Sequence, residues 1–201
     1  MDFNYLIKGV IIGFSIAAPV GPISVLCIRN ALVKGFAVGL LSGLGAATAD
    51  AIYGCIAGFG LTFISVFLTN QQIWLRLVGG LFLCFLGVKT VLNRPAKQAD
   101  SVKDKGFAAV YISTLFLTLT NPMTVLSFAA IFSGLGIGNT NGDYAYAGIL
   151  VLGVFIGSAM WWLILSGSVQ MFRERAMSEL RWVNRISGMV IIGFGLLAFF
   201  K

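Results

Sequence analysis

Apolar residues in this chain run in long blocks and do not alternate with polar ones as a water-soluble helix requires. Six blocks are nearly free of charge, at roughly 4–27, 36–65, 73–92, 108–132, 145–170 and 183–200. Most reach about 20 residues, enough for a helix rising 1.5 Å per residue to cross ~30 Å of hydrocarbon. The pattern predicts an all-α integral membrane protein with six spanning helices. Its longest polar stretch runs only from Asn93 to Lys105, too short for a soluble domain, so residues 1–201 read as a single membrane domain. A leader peptide over Phe3–Ala18, ending in Ser15, Ala17 and Ala18, is the competing reading of the first block. Pro19 and Pro22 crowd any cleavage site there, and further spans follow at once, which favours a span.

Composition agrees with lipid as the solvent. With 58% hydrophobic and 10% charged residues, a soluble fold would leave large apolar patches exposed. The net charge of +7 does not indicate nucleic acid, because basic and aromatic residues are not interleaved on a polar surface. Basic residues collect instead between particular blocks. Arg29 and Lys34 follow the first block; Lys89, Arg94, Lys97, Lys103 and Lys105 close and follow the third. Arg173, Arg175, Arg181 and Arg185 follow the fifth, leaving only Lys8, Arg76 and Lys201 for the other side. By the positive-inside bias the rich loops are cytoplasmic and both termini lie outside.

The two halves of the chain echo each other. Gly21-Pro22-Ile23-Ser24-Val25-Leu26 matches Asn121-Pro122-Met123-Thr124-Val125-Leu126. In the same order, Gly43, Ala47, Thr48 and Ala49 match Gly153, Gly157, Ser158 and Ala159, and Trp74, Gly80 and Gly87 match Trp182, Gly188 and Gly195. Each half holds three spans, so the second enters the membrane from the opposite side. The expected architecture is two inverted repeats, 1–92 and 108–201, joined by a cytoplasmic linker over 93–107, an arrangement suited to alternating access.

Prolines interrupt equivalent places in the repeats, within spans 1 and 4. Gly21 and Asn121 are candidate N-caps, Pro22 and Pro122 then stand at the first helical position, and Ser24 and Thr124 follow in the first turn. Broken helices of this kind begin near mid-membrane with free N–H groups and a positive dipole end, which together attract a carboxylate. A plain kink is the simpler alternative.

Among seven acidic residues, only Asp50 falls deep inside a span. A charge there costs at least ~2.5–3.5 kcal/mol on insertion scales, so it is expected to face a cavity or a partner. Tyr53 at i+3 and Thr48 are its expected companions, with a substrate ammonium, a proton, or each in turn as ligand. A protonated or ion-paired structural role is the alternative. Arg29, seven residues beyond Pro22, reads either as an orientation charge snorkelling to the surface or as a gate at the inner mouth. Gly35, Gly39 and Gly43, and likewise Gly54 and Gly58, are spaced for close helix packing. Trp161 and Trp162 read as packing or interfacial anchoring, with a place along a substrate path as the alternative. The absence of histidine, and of paired cysteines or clustered carboxylates, argues against an intramembrane enzyme and against a resident metal or other cofactor. An exporter of metal or other small cations remains the alternative function, though its usual ligands are missing.

The runs Ala18-Pro19-Val20-Gly21-Pro22-Ile23-Ser24-Val25-Leu26-Cys27-Ile28-Arg29 and Gly43-Leu44-Gly45-Ala46-Ala47-Thr48-Ala49-Asp50-Ala51-Ile52-Tyr53-Gly54 resemble the lysine exporter and homoserine/threonine exporter (LysE/RhtB) family. The Asn121-Pro122 element and the six-span layout extend the resemblance over the whole chain. Pro-Val-Gly-Pro stands where some branches have Pro-Gly-Pro, so substrate identity does not carry over. The resemblance implies efflux of amino acids across a bacterial inner membrane, driven by proton exchange, with no cofactor. A homodimer is compatible with it.

Overall fold

The computed structural model describes residues 2–19, 21–59, 71–92, 106–121, 123–128, 144–172 and 180–200, which are helical or turn throughout. The helices are α1 (Asp2–Ala17), α2 (Pro22–Lys34), α3 (Phe36–Gly58), α4 (Gln72–Leu92), α5 (Phe107–Leu119), α6 (within 123–128), α7 (Tyr144–Gln170) and α8 (Leu180–Phe200). Among the described residues two stretches, Phe36–Gly58 and Ala145–Gln170, are long and apolar enough to cross a membrane. The pair α1 and α2, bent by 83°, makes a third if it is counted as one span. Shorter apolar stretches occupy α4, α5 and α8.

One expected boundary changes. Span 1 does not end near residue 27 in a loop carrying Arg29 and Lys34; α2 continues through both, and Gly35 alone turns the chain into α3. Gly35 adopts φ 100°, a conformation that a Cβ disfavours. Its N–H bonds to Ala31 O at 3.1 Å, while its carbonyl accepts the N–H groups of Val38 and Gly39, so one residue closes one helix and opens the next. Helix α3 ends at Gly58, where the Phe59 N–H caps onto Cys55 O, and the expected boundary at residue 65 lies outside the described residues. The basic residues Arg94, Lys97, Lys103, Lys105, Arg173, Arg175 and Lys201 lie outside the described residues.

Helix α1 packs chiefly on α7, α5 on α3, α4 on α8, and α3 also on α7, while α2 touches α3, α7 and α8. Apolar residues including Ile23, Leu26, Cys27, Ala46, Leu117, Trp162 and Ile191 form one core, with a second around Tyr53, Val125, Phe128, Leu150 and Val154. The outward faces stay apolar, with Ile11, Trp74, Leu81, Phe85 and Trp182 exposed, as a surface solvated by lipid tails should be.

Matched glycines bring α4 and α8 into backbone contact. A Cβ on Gly87 would lie 2.9 Å from Gly188 O, and one on Gly195 would lie 3.0 Å from Gly80 O. Within α3 the small-residue stripe does several jobs: Gly39 admits Ala31 of α2, and Gly43 admits the Trp162 side chain of α7. Gly54 and Gly58 depart from expectation. A Cβ there would meet only ordinary contacts, at 3.7 Å and 3.8 Å, so they do not draw helices unusually close.

Candidate functional site

The site begins where α1 ends. Gly21, extended at φ −126° and ψ −169°, is the N-cap of α2, and Pro22 takes the first helical position, as expected. The first backbone bond of the new helix runs from Val25 N–H to Gly21 O. Ser24 bridges the break, its hydroxyl donating to Pro19 O at 3.3 Å and accepting the Gly21 N–H at 3.4 Å. Helical geometry leaves the N–H groups of Ile23 and Ser24 without partners one turn back. No side chain caps them, and a Cβ on Gly21 would meet nothing within 4 Å. This helix start is open.

The second break is built differently. After Leu119, Thr120 turns its hydroxyl back onto Phe116 O and Leu117 O. Asn121 Oδ1 then accepts the Met123 N–H at 3.2 Å, and its Nδ2 donates to Thr124 Oγ1 at 3.0 Å. The cap expected at Asn121 is present, but it occupies an N–H group that an anion would need. Pro122 lies outside the described residues.

Both breaks open onto one cavity of about 470 Å³. Gly21, Pro22, Ser24, Asp50, Asn121 and Thr124 line it, joined by Thr118, Ser127 and Trp162 and by an apolar wall that includes Ile16, Met123, Phe194 and Leu197. Asp50 is 3% exposed, and its Oδ2 accepts a hydrogen bond from Ser158 Oγ at 2.6 Å. Ser158 in turn accepts from Trp162 Nε1 at 3.2 Å. Ser158 and Trp162 lie one turn apart on α7, so a single helix face orients the carboxyl.

Thr48, Tyr53 and Arg29 do not line this cavity. Thr48 sits two residues from Asp50, a spacing that turns the side chains apart on a helix. It contacts Tyr111 OH of α5 at 2.6 Å and donates to Leu44 O. The Tyr53 hydroxyl donates to Leu119 O, the last carbonyl before the second break. Both residues therefore brace α5, and Tyr53 stays within electrostatic reach of Asp50. Arg29 does not snorkel: it is 4% exposed, and its Nε donates to Asn184 Oδ1 of α8 at 3.1 Å. Reading the sequence by itself missed Ser158 and Trp162 as partners of Asp50. A Ser and a Trp four apart in a charge-free span were the available signal.

Chemically, a carboxyl and an uncapped helix start converge on one space, a pairing complementary to a zwitterion. The LysE type translocator model matches residues 14–201. YcgF of Bacillus subtilis, whose name assigns it provisionally to amino acid efflux, is 27% identical over 96% of this chain and 93% of its own. The leucine efflux protein of Klebsiella pneumoniae is 28% identical over 95% of this chain and 92% of its own. The threonine efflux protein of Escherichia coli is 23% identical over 71% and 74% respectively. No solved structure matches the chain significantly. With the family model covering nearly the whole length, and the Gly-Pro break and buried aspartate inside it, this chain belongs to the LysE type translocator family.

Proposed function

We propose that this protein exports a zwitterionic amino acid from a bacterial cytoplasm, with Asp50 taking the α-ammonium and the open start of α2 at Gly21-Pro22 taking the α-carboxylate. The observation that carries the reading is the convergence of these two groups on one cavity. Efflux in the names of the relatives supports the direction and the cargo. Six spans in two inverted repeats, 1–92 and 108–201, both termini outside and an inner-membrane location complete the proposal. Helix pairing supports the repeat: α1 with α7 corresponds to α5 with α3, while α3–α7 and α4–α8 pair equivalent elements across one axis.

Exchange for a proton follows if Asp50 alternates between the two cations. Bound ammonium keeps the carboxylate charged; after release outside, a proton neutralises it for the return. A charged, empty Asp50 would otherwise carry the full cost of a lone intramembrane charge, several kcal/mol. The cargo and the proton thus compete for one oxygen pair.

Counterflow in liposomes tests the reading, with a panel of amino acids and Asp50→Asn. The amide oxygen can still accept from Ser158, so the variant should fold. Exchange should fall by about 100-fold or more, as expected when a buried charge loses its sole counter-ion. Native rates in a folded Asp50→Asn protein would overturn the proposal.

A further inference from the structure

Beyond the cavity, the described residues hold a second buried charge that the proposed cycle does not use. Arg29 is 4% exposed, its Nε is spent on Asn184, and its Nη2 is buried with no hydrogen-bond partner. Among the described residues no carboxylate pairs with it. Burying a guanidinium in this state costs several kcal/mol unless an anion arrives to share it. Fixing two helices together would need only a neutral donor to Asn184.

Position gives the orphan a direction. Arg29 follows Pro22 by seven residues, so it projects within about 20° of the same face, roughly 10 Å further along α2. On α8, Phe194 and Leu197 line the cavity while Asn184 meets Arg29, some 15 Å away along that helix. α2 and α8 therefore form a continuous wall from the cavity to the guanidinium. Helix α7 adds a second signal: one turn past the cavity residue Trp162, Ser166 is 1% exposed and its Oγ also lacks a partner. Unsatisfied polar groups thus continue past the cavity, toward the end of α2 that the basic residues mark as cytoplasmic.

We propose that Arg29, oriented by Asn184, is a carboxylate subsite on the cytoplasmic side of the cavity, where the cargo amino acid docks before its carboxylate passes to the start of α2. The inference rests on the export reading for the identity of its ligand. Guanidinium suits the task because its planar fork binds a carboxylate with two donors while Nε stays with Asn184. Docking first at Arg29 and then at α2 moves the carboxylate one way along a single helix.

The test is counterflow in oriented proteoliposomes, comparing a transported amino acid with its α-amide in native protein and in Arg29→Gln and Arg29→Lys. For cytoplasmic-face entry, Arg29→Gln should raise KM for the acid by about tenfold, leave KM for the amide within about twofold, and spare external-face KM. Arg29→Lys should fall between. Equal losses for acid and amide, or equal losses at both faces, would overturn the subsite and leave Arg29 as a helix clamp. Should the native protein move no amino acid, the export reading fails by itself. The subsite is then read from acetate, which must raise the Tm of native protein over chloride at equal ionic strength. Loss of that increment in Arg29→Gln sustains the subsite, and its absence in native protein or persistence in the variant rejects it.

Discussion

At the start of α2 the residue ahead of proline is glycine, with no side chain to turn back onto the helix. At the start of α6 it is asparagine, whose amide oxygen accepts the Met123 N–H and whose amide nitrogen reaches Thr124. One break leaves its first N–H groups uncapped beside the cavity, and the other has closed part of its own. In the sequence the two look interchangeable, since Gly and Asn are both good N-caps. In the folded chain they differ: α2 starts uncapped beside the cavity, and α6 is a finished helix end that lines the same space. Tyr53 reinforces the second break from outside by holding Leu119 O. Among the described residues only the bridging Ser24 stabilises the first in this way.

Giving the first break the second one's cap should erase the difference. Gly21 is extended and its Cβ direction is empty, so Gly21→Asn fits sterically. A self-cap worth about 1 kcal/mol would compete with the substrate carboxylate, lowering export by roughly fivefold to tenfold while thermal stability holds or rises. Counterflow and a melting curve read both quantities. Unchanged export with a rise in Tm would mean that the open end binds nothing.

The reciprocal change should have the opposite profile. Asn121→Ala removes the cap from α6 and should cost about 1 kcal/mol of stability. Export should change by less than about threefold, because the carboxylate is not held there. A loss of transport as large as that of Gly21→Asn would make the two breaks equal partners. Smaller still is Tyr53→Phe, which deletes one hydrogen bond to Leu119 O. About 0.6–1 kcal/mol of stability and no change in substrate selectivity are expected. Altered selectivity would return Tyr53 to the binding site.

What could be read in advance was whatever depends on local chemistry. Charge-free length located α4 and α7 to within a residue or so, and the prolines located the breaks, because a missing N–H needs no tertiary context. Asp50 was legible for the same reason: an acid is costly in any apolar block. Its partners were not, since Ser158 is supplied by a helix more than 100 residues away. The contacts of Thr48 and Tyr53 with α5 were not legible either, since spacing along one helix does not say what another helix will offer. The helix turns one toward Tyr111 and lets the other reach across to α5. Of the two readings of Arg29 only snorkelling fails: a helix continuing to Lys34 carries the side chain into the bundle, and nothing before Gly35 announces that continuation.

The single-residue turn at Gly35 also bears on how the protein enters its membrane. Helix α2 has 13 residues, about 20 Å, so it cannot bridge the hydrocarbon by itself. It also carries Arg29 and Asn30, which a solitary helix would present unsatisfied to lipid. Tied to α3 by one residue, it can leave the translocon together with that longer apolar helix, as a hairpin. Asn30 then meets Ser42, its partner at 2.8 Å, within the same insertion event. The segment that offers the open helix start thus relies for its integration on its neighbours, α1 before it and the helix that carries Asp50 after it.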